Sequence, residues 1–228
     1  MHRAFVFDFD GVIADSEALA NTVLAEFVTE LGAPTTLEDA YRNYMGKRFH
    51  EVVEAIQSAV GHELPQNFAN EYQARTLDRF RTALKPVPGA IEFLVAHAAI
   101  PKCIASSSSP DRLALCIDVL NIQTHFDGRV FSSSLVARGK PHPDIFLHAA
   151  SEIGVAPSDC IVIEDSPSGV VAGRAAGATV IGLLAGSHIG EGHAAKLLDA
   201  GADFIACSYA ELEEIARPLL PPGLLPVC

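Results

Sequence analysis

What most constrains the fold of this chain is a recurring series of short β-rich apolar blocks separated by stretches of helical period. The blocks are Ala4–Phe9, Pro101–Ala105, Arg129–Ser132, Cys160–Glu164, Thr179–Leu183 and Asp203–Ala206. Between most of them the apolar residues recur three and four apart. The segment 112–120 carries Leu113, Cys116, Ile117 and Leu120, and 144–153 carries Ile145, Phe146, Ala149 and Ile153; 167–176 and 193–200 are similar. Continuous apolar strands alternating with helices predict a parallel sheet covered by helices on both faces, an α/β fold with a Rossmann-like three-layer core.

One stretch breaks the rhythm. From the end of the first block to Pro101 only helical patterns occur: 18–31 (Leu19, Val23, Leu24, Phe27, Val28, Leu31, stopped by Gly32), 51–60 and 67–84. The turn-forming run Pro86-Val87-Pro88-Gly89 closes it. An insertion directly after strand one predicts a helical cap over the C-terminal edge of the sheet, where ligands of parallel sheets bind. The expected division is a core of residues 1–14 and 87–228 and a cap of residues 15–86.

Apolar residues make up 49% of the chain, yet no run approaches the roughly 18 that a membrane-spanning helix needs. The formal charge of −12 argues against nucleic acid and anionic membranes as partners, and means that an anionic substrate needs local help from a cation or helix N-termini. The five cysteines are odd in number and show no CxxC spacing. Met1-His2-Arg3 runs straight into the first block without a signal-peptide pattern. These features predict packed, reduced thiols, a cytoplasmic location and a monomer or weak homodimer.

Polar residues gather at the block ends. Asp8-Phe9-Asp10-Gly11 follows the first block; two carboxylates there repel unless a cation or proton sits between them, although Asp-Gly is also a common solvated turn. The block 160–164 ends in Glu164-Asp165-Ser166-Pro167, with Ser166 as N-cap and Pro167 as first helical residue. Oxygen ligands from two strand tips suit Mg²⁺. The run Ser106-Ser107-Ser108-Ser109-Pro110 offers hydroxyls and backbone N–H groups as an anion cradle, or is merely a serine-rich loop. Lys140, in Gly139-Lys140-Pro141-His142-Pro143-Asp144, is a cation in a chain poor in them; alone it reads as a surface lysine. Together these tips supply what phosphoryl transfer requires, positioning plus charge neutralisation.

On these motifs the chain resembles the haloacid dehalogenase superfamily, in the branch of β-phosphoglucomutase and small sugar-phosphate phosphatases. The resemblance implies that Asp8 is the nucleophile and forms an aspartyl phosphate, and that Asp10 protonates the leaving alcohol and then activates water, so that its pKa should be raised by its neighbours and by cap closure. It implies that Asp8, the Asp10 backbone carbonyl and Asp165 hold Mg²⁺, with Glu164 a nearby or direct ligand, and that Ser106 and Lys140 bind the transferring group, with Gly11 and Ser107 beside it. Asp10 argues against dehalogenation. Ala20 and Phe49 stand where the mutase branch has a cap histidine and arginine, so the pattern, including Gly186-Ser187-His188, is closer to phosphatases of the 6-phosphogluconate type. Lys47 and Arg48 could contact a substrate anion or be solvated. The expected substrate is a small phosphorylated metabolite, a sugar phosphate or phosphogluconate. A phosphomutase and a phosphoacceptor signalling module are the alternatives. His188 and His193 lack a helical ligand spacing and read as part of a mobile loop.

Overall fold

The computed structural model describes residues 4–47 and 49–221. The chain divides into two compact units, residues 1–15 with 85–228 and residues 16–84.

The larger unit is built on β1 (Ala4–Phe7), β2 (Lys102–Ser106), β3 (Val130–Ser132), β4 (Cys160–Glu164), β5 (Thr179–Leu183) and β6 (Phe204–Ala206). They form one parallel sheet in the order β3-β2-β1-β4-β5-β6. The apolar blocks lack polar alternation because both faces of the sheet are covered. In β1, Ala4 and Val6 point to one face and pack with Ile145, Phe146, Ala149, Val162 and Val170. Phe5 and Phe7 point to the other, where Phe93 meets Phe5 edge-on at 5.2 Å, Phe126 meets Phe7 at 6.3 Å and Tyr209 packs on Phe93. Both phenylalanines of β1 are fully buried, which contributes about 1.5–3 kcal/mol each. The Rossmann-like three-layer core is therefore present as the apolar blocks predict.

The strand order places a topological switch between β1 and β4: the chain leaves β1 towards β2 on one side, and β5 and β6 extend the sheet beyond β4 on the other. Such a switch opens a crevice at the C-terminal ends of the strands. Asp8 follows β1 and Glu164 ends β4, so both stand on its rim. At the same end Ile13–Asp15 and Lys85–Val87 run antiparallel, with Val87 N–H donating to Ile13 O (2.8 Å) and Asp15 N–H to Lys85 O (2.9 Å).

The unit of residues 16–84 is helical: Glu17–Glu30, Leu37–Asn43, Phe49–Val60 and Phe68–Ala83. Its core joins Leu24, Phe27, Val28, Ala40, Tyr44, Ile56 and Phe68, with the Phe27 and Phe68 rings stacked at 5.0 Å.

The helices Leu37–Asn43, Ala90–Ala96, Gln123–Phe126 and Tyr209–Ala216 do not figure in the sequence reading. Gln123–Phe126 is a single turn, whereas Ala90, Phe93 and Leu94, and Tyr209, Leu212 and Ala216, do keep a helical spacing. β1 also ends at Phe7 rather than Phe9, because Phe9 O accepts from both Ile13 N–H and Ala14 N–H and turns the chain. Residues 222–228 of the proline-rich tail lie outside the described residues. No described helix is long and apolar enough to cross a membrane.

Candidate active site

Asp8, Glu164 and Asp165 converge at the switch point. Their carboxylates offer oxygens all within 4.8 Å of one another, and all three residues are buried. The sequence carries them there by continuing two neighbouring strands: Asp8 N–H still donates to Ile163 O (2.9 Å), so Asp8 stands beside the end of β4. Lys140 reaches the same point from the loop before the helix Asp144–Glu152. Its Nζ lies 2.6 Å from Asp8 Oδ1 and 2.6 Å from Glu164 Oε1, with only 4% of its side chain exposed. The Lys140–Pro141 peptide bond is cis.

Glu164 is held on both oxygens. While Oε1 takes Lys140, Oε2 accepts from Ser166 N–H (3.0 Å) and Ser166 Oγ (2.9 Å). Ser166 Oγ also accepts from Gly169 N–H at 3.1 Å, the expected N-cap of the helix Pro167–Ala175. Gly169 makes the fit possible, since a Cβ there would stand 1.7 Å from Glu164 Oε1. Across the cluster Gly11 does the same for Asp165. It has φ +76°, and a Cβ on it would stand 1.8 Å from Asp165 Oδ2. The Gly11 N–H donates to Ala14 O (2.8 Å), so what this residue supplies is room.

The electrostatics follow from crowding. Burial pushes the Asp8 carboxyl well above the usual carboxylate range; Lys140 opposes the shift, while Glu164 and Asp165 reinforce it. Burial likewise raises Asp165, opposed by the hydrogen bond from His188. Burial works against the Lys140 ammonium, but Asp8 and Glu164 outweigh it and hold the amine charged. With all three carboxyls ionised the cluster would hold two negative charges in excess of the one Lys140 ammonium. Hard oxygen donors with that excess fit a divalent metal ion such as Mg²⁺.

Asp10 does not share Asp8's surroundings. The turn after Phe9 aims it towards the loop after β2, where Arg112 donates to Oδ1 at 2.5 Å and the Ser108 hydroxyl donates to Oδ2. It faces a guanidinium and a hydroxyl there. Arg112 enters because Ser109 caps the helix Pro110–Leu120, accepting from Arg112 N–H and setting that residue in the first turn. Ser106 is buried at the end of β2, and its Oγ accepts from Ser108 N–H (3.0 Å); Ser107 is exposed. Lys47 is exposed in the helical unit, and Arg48 lies outside the described residues.

The sequence reading missed Arg112 and set aside two histidines. His188 is buried, with Nε2 3.1 Å from Asp165 Oδ2, and His193 Nε2 donates to Asp165 O at 2.6 Å. The expected mobile loop is instead tied to the cluster. The signal available was Gly186-Ser187-His188, a histidine flanked by turn formers after β5.

Comparison with known proteins shows the family. The family model described as haloacid dehalogenase-like hydrolase matches residues 2–177. The 6-phosphogluconate phosphatase of Escherichia coli (strain K12) is 28% identical over 187 residues, 82% of this chain and 84% of that one. A phosphorylated carbohydrates phosphatase of Thermotoga maritima is 33% identical over 206 residues, 88% of this chain and 92% of that one. Among solved structures, a HAD family hydrolase from Deinococcus radiodurans R1 with bound phosphate and sodium superposes with a TM-score of 0.82 at 33% identity, covering 100% of this chain and 99% of that one. The chain is a hydrolase that belongs to the haloacid dehalogenase-like family, with phosphatases among its relatives.

Proposed function

We propose that this protein is a Mg²⁺-dependent phosphatase that hydrolyses small phosphorylated metabolites, of the sugar phosphate or phosphogluconate class, through an aspartyl phosphate on Asp8. The observation that carries the reading is the cluster of Asp8, Glu164 and Asp165 with Lys140 Nζ at 2.6 Å from Asp8 Oδ1. In this reading Asp8 and Asp165, with the Asp10 carbonyl, hold the metal ion. When bound, the ion neutralises charge on the transferring phosphoryl group and lessens its repulsion from the attacking carboxylate. Both oxygens of Glu164 already accept hydrogen bonds, which favours a role in positioning Lys140 beside the metal.

Asp8 then attacks phosphorus, and the bond to the ester oxygen breaks. Asp10 gives the departing alcoholate a proton and afterwards takes one from the water that attacks the aspartyl phosphate, which releases inorganic phosphate and regenerates Asp8. The Arg112–Asp10 pair suits the second half, in which the carboxylate acts as base; the first half requires that pair to loosen. Ser106 and Lys140 bind the phosphoryl oxygens, with Gly11 and Ser107 at their side. Lys47 and Arg48 are candidates for a second anionic group of the substrate. The 6-phosphogluconate and phosphorylated-carbohydrate specificities named for the relatives support the substrate class.

The test is phosphate release from a panel of sugar phosphates, 6-phosphogluconate, phosphoglycolate and a nitrophenyl ester, with Mg²⁺ and with chelator. Turnover that requires Mg²⁺ and favours a sugar phosphate or phosphogluconate is the expected result. Absence of release from every ester by folded protein with Mg²⁺ would rule the reading out.

A further inference from the structure

The segment after β5 bears on the carboxylate cluster in a way the reaction scheme above does not use. Gly186 to Ile189 forms a turn closed by Ile189 N–H on Gly186 O (3.2 Å). Asp15 clamps it: one oxygen, Oδ1, accepts from both Ser187 N–H (2.9 Å) and Ser187 Oγ (2.8 Å). The clamp delivers His188 into the buried cluster, where its Nε2 lies 3.1 Å from Asp165 Oδ2. The side chains of His188 and Asp165 are only 7% and 6% exposed. Two glycines leave space for the imidazole. A Cβ at Gly11 would come within 2.7 Å of His188 Cε1, and one at Gly186 within 2.8 Å of the same atom. From the other side His193 Nε2 donates to the backbone carbonyl of Asp165. Asp165 is thus gripped at its side chain by a residue of the loop after β5 and at its main chain by the first residue of the helix His193–Asp199 that follows.

We propose that His188 is a positioning residue for metal binding: by donating to Oδ2 it fixes the Asp165 carboxylate in the cluster that would hold the ion. The inference rests on the metal-dependent reading given above. A carboxylate free to rotate loses entropy on binding an ion, whereas one already held by a hydrogen bond does not. Partners that hold ligating carboxylates in this way change metal affinity by about 10–100-fold when removed. The clamp from Asp15, on the segment that follows the Asp8 turn, links the loop that holds Asp165 to the turn that bears Asp8.

The experiment is calorimetric titration of the full chain with Mg²⁺, comparing wild type with His188→Ala, His188→Phe and His188→Gln. Melting in chelator accompanies it to establish that each variant is folded. Phenylalanine keeps the ring bulk without the donor, and glutamine keeps a donor near the Nε2 position. Weakening of Mg²⁺ binding by about 10–100-fold in the alanine and phenylalanine variants, with glutamine close to wild type, is the expected pattern. Wild-type affinity in folded His188→Phe or His188→Ala would overturn the inference while leaving the metal reading intact, as would a glutamine variant as weak as phenylalanine. Failure of the wild type itself to bind Mg²⁺ would overturn the metal reading, and this inference with it.

Discussion

At the scale of single residues, the cluster crowds three buried carboxyls around one ammonium. Because burial raises the carboxyls of Asp8 and Asp165, the metal-free folded chain binds protons there that the unfolded chain has already released. The stability these groups contribute is therefore complete below the ordinary carboxylate value of 3.8 and declines as pH rises through the raised folded values. Mg²⁺ competes with those protons, so the rise in melting temperature it produces should grow with pH above that value; a metal effect that is flat, or larger in acid, would count against the assignment. Glycine 169 gives a second check. In Gly169→Ala the Cβ would overlap the Glu164 carboxylate, displacing it from Lys140, with an expected stability loss of about 1–3 kcal/mol in denaturant titration and a fall in turnover. The residues legible in the sequence were those in contiguous motifs: Asp8, Asp10, Glu164 and Asp165 at or just past strand ends, and Lys140 in its glycine- and proline-bracketed loop. Arg112 and His188 were not, because what they do depends on meeting Asp10 and Asp165 across the sheet edge, and neither stands in a spacing that announces a partner.

At the scale of elements, the capping chemistry was readable where it was followed and missed where it was not. Ser166-Pro167 opens its helix as expected, and Ser109-Pro110 opens another. The same logic identifies two of the missed helices. Thr36 and Asp39 form a reciprocal capping box at Leu37–Asn43, and Ser208 accepts from Glu211 N–H at Tyr209–Ala216. Short helices of this kind are visible through their caps, and Tyr209–Ala216 also through the spacing of Tyr209, Leu212 and Ala216. Because Ser166 caps a helix and also holds Glu164, Ser166→Ala should cost more than a plain cap: about 1–2 kcal/mol in unfolding free energy, together with reduced turnover. A loss confined to stability would mean that the Ser166–Glu164 contact has no bearing on the site. Arg112, set in the first turn of its helix, positions Asp10. Arg112→Ala should lower kcat by about 10–100-fold with a smaller change in KM, as read from steady-state kinetics on the favoured ester.

At the scale of the whole molecule, function follows from topology. A parallel sheet of order β3-β2-β1-β4-β5-β6 makes the tips of β1 and β4 neighbours, although Asp8 and Glu164 are far apart in sequence. The apolar blocks made the parallel sheet legible, since only strands buried on both faces dispense with polar alternation. The order of the strands was not legible, since apolar blocks buried on both faces do not say which block neighbours which. The same burial explains the thiols. Cys103, Cys116 and Cys160 are packed in the core, and burial raises all three, Cys116 to about 12 and Cys160 to about 11. Alkylation at pH 8 should therefore spare them in the native protein and reach them on unfolding, as peptide mass mapping would show; rapid native labelling of any of the three would contradict the core packing. The central claim is that the phosphoryl group passes through Asp8. The most direct measurement is acid-quenched peptide mass analysis of Asp10→Asn after incubation with Mg²⁺ and the favoured ester, alongside phosphate release by Asp8→Asn. The account expects one phosphoryl group on the peptide containing Asp8, and turnover in Asp8→Asn reduced by a factor on the order of 10⁴ or more. Sustained phosphate release by folded Asp8→Asn, with no phosphoryl group ever found on Asp8, would contradict it.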